Sequence, residues 1–375
     1  MMNPPGARSR ISPWLIGAAT VVVVLALVQW LFPPPFVVER PGPVVDTLGE
    51  VVDKEGAEPE PMISIRDAET YPTEGQLNLL TVSIHGSPDR SVGWLGLVPA
   101  LFDPSQQIVP MAEIYPPGVS SEDRQQQNDQ LMNRSQADAT VAALRQLGEE
   151  VPATVSVSGI AQGSPAEGKL ADGDVLVRVN GTEVVGYEQL RRLIADNGAD
   201  EPAQITVLRG GEEVTVGATP VSSGTAETPG PAVLGIAVTS DYDFPVDVEL
   251  RINDIGGPSA GMMFALGIMD TLTPGSLTGG HTVSGTGTID GEGTVGAIGG
   301  LPQKMYGAAE ADTDLFLMAI GNCDAVPENI PGDMTVAPVA TLAEAERAIE
   351  DFAAGKKPAG LERCDSATSQ ATPLS

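Results

Sequence analysis

The stretch from Ile255 to Asp270, Ile-Gly-Gly-Pro-Ser-Ala-Gly-Met-Met-Phe-Ala-Leu-Gly-Ile-Met-Asp, constrains the fold more than any other. Its second half is apolar on every side of a helical wheel, so other elements must enclose that helix. Pro258 suits a first helical turn and the preceding glycines allow close backbone approach, so Ser259 falls where free backbone N–H groups point outward. The amides of Gly257, Ser259 and Ala260 would there make a cradle for an oxyanion. A serine at this place can equally act as a helix cap.

A second stretch, Gly296 to Ala309, is a glycine-rich turn that feeds a helix with Lys304 near its start. The chain has five lysines, Lys54, Lys169, Lys304, Lys356 and Lys357. Of these, Lys304 alone shares a helical stripe with Ala308, Ala311 and Leu315, which sets its stem on an apolar face. Burial disfavours the ammonium, and a lowered pKa is what a lysine needs to act as a base toward a serine hydroxyl. Unperturbed, only about 0.04% of a lysine is neutral at pH 7.

Gly257-Pro258-Ser259-Ala260-Gly261, Thr286-Gly287-Thr288-Ile289 and Gly299-Gly300-Leu301-Pro302-Gln303-Lys304 together resemble the proteolytic domain of Lon proteases, Ser-Lys peptidases that use no histidine. The 45 positions from Ser259 to Lys304 also fit that family. The resemblance covers about 246–349. It implies Ser259 as nucleophile, Lys304 as base and Thr286 as the residue that helps to place the lysine. Many Lon proteins carry an aspartate three residues before the serine; Gly256 stands there in this chain.

Between 150 and 221 the periodicity changes to short alternating strands around one helix, Tyr187 to Ala195. Gly163-Ser164-Pro165-Ala166, Leu170 to Leu176 and Val179-Asn180-Gly181 resemble a PDZ domain of the bacterial protease type. Such a domain takes an extended peptide as an added strand; the alternative is a structural spacer. A strand at Leu77 to Ile84 and a long helix from Ser121 to Gly148 look like the first part of the Lon domain. The expected fold class is therefore α+β: a Lon-type proteolytic domain with an inserted PDZ β-barrel-like domain, preceded by one transmembrane helix.

Trp14 to Phe32 is a 19-residue run in which Thr20 and Gln29 are the clearly polar side chains. As a helix it reaches about 28 Å, enough to cross the hydrocarbon layer. Arg8 and Arg10 precede it and acidic residues follow, so the expectation is a single-pass protein of the cell membrane with a cytoplasmic N-terminus and an extracytoplasmic catalytic domain. Pro33-Pro34-Pro35 follows the run where a cleaved signal peptide would show small residues. The expected order is a cytoplasmic start (1–12), membrane helix (13–32), extended acidic stalk (33–71), first Lon-like part (72–149), PDZ domain (150–221), linker (222–231), catalytic part (232–354) and flexible tail (355–375).

With 20 basic and 50 acidic residues the net charge is −30, which speaks against nucleic acid as a partner. Two motifs are set aside. Gly163 to Leu170 nearly spells a phosphate loop but ends in Leu170 where a hydroxyl should meet magnesium, and Gly291 to Gly296 matches a dinucleotide pattern but reads as a hairpin turn. His85 and His281, the only histidines, are too few for a metal cluster, so neither metal nor cofactor is expected. Cys323 and Cys364, the only cysteines, are expected to pair in an oxidising compartment; the alternative is a buried Cys323 and a free Cys364.

These readings converge on an ATP-independent serine endopeptidase whose PDZ domain selects unfolded or flexible peptide substrates, and the Lon resemblance implies a homo-oligomeric ring. The rival is a membrane-tethered, non-catalytic PDZ adaptor on a Lon-like scaffold.

Overall fold

The computed structural model describes Trp14, Gly17 and residues 32–52, 58–116, 118–224, 230–252 and 257–364. The expected membrane helix at 13–32 thus lies outside the described residues apart from Trp14, Gly17 and Phe32, and Gly256 lies outside them too. Among the described residues no helix is long and apolar enough to cross a membrane.

Along the chain come β1 (Phe36–Asp46), β2 (Gln76–His85), β3 (Gln107–Pro110) and the long helix α1 (Ser121–Gln146). Then follow β4 (Ala153–Ile160), β5 (Val175–Val179), α2 (Tyr187–Asn197), β6 (Ala203–Arg209), β7 (Glu212–Ala218) and β8 (Ile236–Tyr242). The chain continues with α3 (Gly261–Leu272), β9 (Thr282–Thr286), α4 (Leu301–Glu310), β10 (Leu315–Ala319), β11 (Thr335–Val339) and α5 (Leu342–Ala353).

One six-stranded sheet has the order β11-β10-β9-β2-β1-β3, parallel from β11 to β2 and antiparallel beyond. Side-chain alternation sorts its residues between two faces. Leu77, Leu79, Val283, Leu315 and Leu317 pack with α3 and α5, whereas Leu80, Phe316, Met318 and Val336 pack with Leu301, Met305 and Ala308 of α4. Since both faces are covered, β10 can be apolar at every position, and all five of its residues are buried. Helix α3 sits in the larger core, with Met262, Met263, Phe264, Leu266 and Ile268 fully buried. Ala139, Ala142 and Ala143 of α1 join the same core, and Ser120 caps α1 by accepting from the Asp123 amide.

The inserted domain is an antiparallel sheet, β7-β6-β5-β4-β8, with α2 packed on it through Leu190 and Ile194. Asp174 in its tight turn is almost fully buried and takes a forked pair of bonds from Arg209 Nε and Nη2 at 2.8 and 2.7 Å. Those bonds hold its carboxyl below the usual range despite burial.

Three expectations are corrected. The stalk at 33–71 is instead part of the fold, because β1 lies between β2 and β3 with Val37 and Val38 buried. Pro41 and Pro43 of β1 sit at a bulge, where the register with β2 shifts between Pro41 and Val44, a place at which a sheet tolerates proline. Gly42 fits there because a Cβ would come within 2.3 Å of Thr81 Oγ1. The PDZ sheet also does not end at 221: β8, beyond the linker, pairs with β4 from Ile236↔Ile160 to Tyr242↔Ala153. Finally, the tail is anchored as far as Cys364, with Pro358 and Gly360 buried, Arg363 forked on Glu344 and Cys364 bonded to Cys323.

That disulfide closes a loop of sequence separation 41, which by chain entropy alone contributes about 4 kcal/mol. The double variant Cys323→Ser/Cys364→Ser is expected to unfold at lower denaturant, with about that loss in stability. Mass spectrometry of the unreduced protein is expected to show neither thiol alkylated.

Candidate active site

Three segments distant in sequence meet at the carboxyl end of β9. The first is the turn Pro258–Ala260, which leads straight into α3. The start of a helix leaves its leading amides without helical acceptors, and the amides of Ser259 and Ala260 belong to that first turn. Ser135 of α1 donates through Oγ to the Pro258 carbonyl at 3.2 Å and steadies the turn from behind.

The second is the end of β9. Thr286 is fully buried; its Oγ1 donates to the Ser259 carbonyl at 3.1 Å, and the Gly287 amide donates to the same oxygen at 2.9 Å. The Met262 amide returns a bond to the Gly287 carbonyl at 3.1 Å. Ser259 is thus held by its backbone, leaving its hydroxyl to turn toward the cleft.

The third is α4. Gly300, just before it, is left-handed at φ 68°, and a Cβ there would come within 2.6 Å of Val82 Cγ2. The glycine therefore lets α4 start tight against β2, which sets Lys304 one turn in and pointing at the strand ends. Lys304 is 3% exposed, and its Nζ donates to Ser259 Oγ at 2.7 Å and to Thr286 Oγ1 at 2.8 Å. Both partners are neutral hydroxyls, so the cost of burying the charge stands largely unopposed; burial pulls the amine down from 10.5 to about 8. At pH 7 about a tenth of it is then neutral, some two hundred times the unperturbed fraction.

The Ser259 hydroxyl opens on a cavity of about 430 Å³, floored by Leu80, Thr81, Val82 and Ser83 and walled by Gly257 and Gly299. Strand β9 pairs with β2 only as far as Gly285↔Leu79. Beyond that point β2 has an open edge along the cleft. Nothing in the sequence marks this floor, since Leu80 to Ser83 carry no titratable group and their place follows from where a distant strand stops. Ser135 is equally unmarked, an unremarkable serine in a polar helix.

The two histidines stand elsewhere. His281 lies just before β9, at the opposite end from Thr286, and is exposed beside Asp314 with Nδ1 3.3 Å from Oδ2. His85 is exposed at the end of β2. Among the described residues no group of three metal-binding side chains occurs. Asp290 Oδ1 accepts from the amides of Glu292 and Thr294, a hairpin turn rather than a cofactor loop.

The PDZ domain has its own groove, about 470 Å³, between α2 and β8. Leu190 and Ile194 line one side, Leu234, Ile236 and Val238 the other. Strand β8 ends the sheet, so its outer edge faces the groove. The insert is tied to the catalytic part by a forked ion pair of Arg192 with Glu292 and by Tyr242 Oη, 3.3 Å from Asp138 Oδ1 on α1.

Comparison with known proteins locates the same two parts. Residues 252–350 match the family described as the Lon protease (S16) C-terminal proteolytic domain. Residues 119–219 match the PDZ domain family; that match takes in α1, which packs in the catalytic core, and stops short of β8. No curated protein matches the chain. Among solved structures, the PDZ domain of an SdrC-like protein from Listeria innocua is 18% identical, with 23% of this chain and 92% of that one covered at a TM-score of 0.21. The corresponding domain from Listeria monocytogenes is 19% identical, with 22% and 85% covered at 0.20. A protein from Geobacillus thermodenitrificans is 20% identical, with 22% and 94% covered at 0.20. The chain thus joins a Lon-type proteolytic domain to a PDZ domain, the make-up of a PDZ–Lon protease.

Proposed function

We propose that the protein is a serine endopeptidase in which Ser259 and Lys304 form the catalytic dyad. The observation that carries this reading is the 2.7 Å contact of Ser259 Oγ with a buried amine whose pKa is lowered to about 8. In its neutral form Nζ keeps one N–H on Thr286 Oγ1 and turns its lone pair to the serine O–H. Nζ takes that proton as Oγ attacks the peptide carbonyl, and the amides of Gly257, Ser259 and Ala260 hold the oxyanion. The ammonium then protonates the departing amine. In the second half Nζ draws a proton from water, which attacks the acyl ester, and returns it to Ser259 Oγ as the ester bond breaks and the acid leaves. Thr286 acts by position, since it holds both the amine and the serine backbone.

Substrate would lie along the open edge of β2 as an added strand, which favours extended, unfolded chains. The groove between α2 and β8 would take a second extended segment and so select the protein substrates. Cleavage without ATP fits a sequence that carries no phosphate loop. The hydropathy of Trp14 to Phe32 and the arginines before it support a single membrane span with the catalytic domain outside the cytoplasm. A homo-oligomeric ring is the expected assembly, and the mass of the detergent-extracted protein tests it.

Single-turnover cleavage of a flexible peptide tests the dyad. Ser259→Ala and Lys304→Arg are each expected to lose about 10³-fold or more, and the double variant to be little worse, because the two groups act as one unit. Arginine keeps the charge but never frees a lone pair. Ser259-dependent labelling by a phosphonate is expected; its absence would favour a non-catalytic adaptor.

The pH dependence follows from a depressed lysine. Activity is expected to rise through about pH 8 as Nζ loses its proton. Between about 8 and 10.5 the unfolded chain holds a proton that the folded chain has released, so stability also rises with pH there, by up to about 3 kcal/mol. Denaturant midpoints between pH 7 and 10.5, set against Lys304→Met, check this.

For the PDZ groove, Ala195→Trp adds a large side chain at its exposed rim. Cleavage of a short peptide is expected to stay within about twofold, while cleavage of an unfolded protein falls about tenfold. Equal loss of both would contradict a selecting role.

A further inference from the structure

Residues 91–102, Ser-Val-Gly-Trp-Leu-Gly-Leu-Val-Pro-Ala-Leu-Phe, carry no ionisable side chain in a chain that is 19% charged. They form two short helical turns, Trp94–Leu97 and Pro99–Leu101. One side, Leu97 and Ala100, is buried against Val38 of β1. The other is open: Leu95, Leu101 and Phe102 are 74, 67 and 83% exposed, and Trp94 and Val98 are nearly half exposed. Scattered apolar residues on a surface need no explanation, but five large ones within nine positions do.

Their place in the fold says what covers them. Trp94 Nε1 donates to the carbonyl of Phe32 at 2.8 Å, so the patch meets the last residue of the apolar run 14–32. Phe32 is itself 68% exposed and extends the patch. Three prolines separate it from β1, a reach of about 9 Å. That short link is fixed too, since Pro34 is buried and the Met111 amide donates to the Pro35 carbonyl at 2.9 Å. A domain joined so closely to a membrane span has no stalk on which to stand off.

We infer that the face made by Phe32, Trp94, Leu95, Val98, Leu101 and Phe102 inserts into the interfacial layer of the lipid bilayer and seats the catalytic domain on the membrane. This rests on the reading of 14–32 as a span. A tryptophan among leucine and phenylalanine suits the headgroup boundary, where the ring is buried and its N–H stays bonded. The patch has no lysine or arginine and the whole chain is strongly acidic, so insertion is apolar and needs no anionic lipid. Seating also sets the cleft near the bilayer. Gly86, just past β2, lies against Val92 on the buried side of the same segment, about 13 Å along the chain from Val82 on the cleft floor. Segments of membrane proteins just outside the bilayer are the substrates that this geometry favours.

The test uses the full chain as Trp14→Phe/Trp30→Phe, which leaves Trp94 as its one tryptophan, reconstituted in phosphatidylcholine vesicles containing lipids brominated at shallow or deep positions. The protein is expected to float with the vesicles after an alkaline wash. Trp94 emission is expected to fall about twofold or more with shallow bromines, less with deep ones, and to the same extent in high salt. Adding Leu95→Ser/Phe102→Ser, both at exposed sites, is expected to keep flotation and peptide cleavage while removing most of that quenching. A chain that floats with Trp94 unquenched overturns the docking face and leaves the span intact. A chain washed off the vesicles overturns the span and the docking face with it. If Trp94 is shielded from lipid bromines and from aqueous acrylamide alike, a second copy covers the patch and the inference fails.

Discussion

The structure turns on a primary amine buried among neutral groups. Lys304 sits inside a layer of α4 and sheet side chains, and its two hydrogen-bond partners are hydroxyls. A carboxylate in the same place would hold the ammonium charged and make it a structural ion pair. Hydroxyls accept from the amine without stabilising its charge enough to offset burial, so the site brings the neutral form within reach of working pH. The rest of the domain serves that placement. Strand β9 brings Thr286 to the sheet end, Gly300 lets α4 approach β2, and the all-apolar α3 locks the Ser259 turn to the core.

The fold also explains why the proposed dyad draws on both faces of one sheet. Ser259 precedes α3, which packs on one face, while Lys304 rides on α4, which packs on the other. They can touch only past the end of β9, where the sheet stops separating them. Carboxyl ends of parallel strands are where open α/β sheets place their sites. The strand that continues beyond that end, β2, becomes both the cleft floor and the link to the apolar turns at 94–101.

How much of this was legible in the sequence depended on distance along the chain. Ser259 and Lys304 stood out because each is set in a local pattern whose parts, glycines, a proline at a first turn and an apolar helix or stripe, specify backbone shape nearby, whereas Thr286 came from the resemblance to Lon proteases alone. The strand Phe36–Asp46 did not, because Pro41-Gly42-Pro43 reads as linker until Thr81 is known to lie against Gly42. Strand β8 was hidden behind a Ser/Thr/Gly linker, since nothing in Ile236 to Tyr242 says that it returns to β4. Leu80 to Ser83 read correctly as strand, yet their role arises only where β9 leaves them unpaired.

The claim that everything else depends on is that Lys304 titrates far below an ordinary lysine, and it can be read directly. The protein has five lysines, few enough to follow one by one by carbon-13 NMR of the ε-carbon, with Lys304→Arg giving the assignment. The account predicts that the Lys304 signal has a midpoint near the value of about 8 set by burial, and that it persists in Ser259→Ala. A Lys304 signal that titrates above about 10 would contradict it, because an amine charged throughout the working range has no lone pair with which to take the serine's proton.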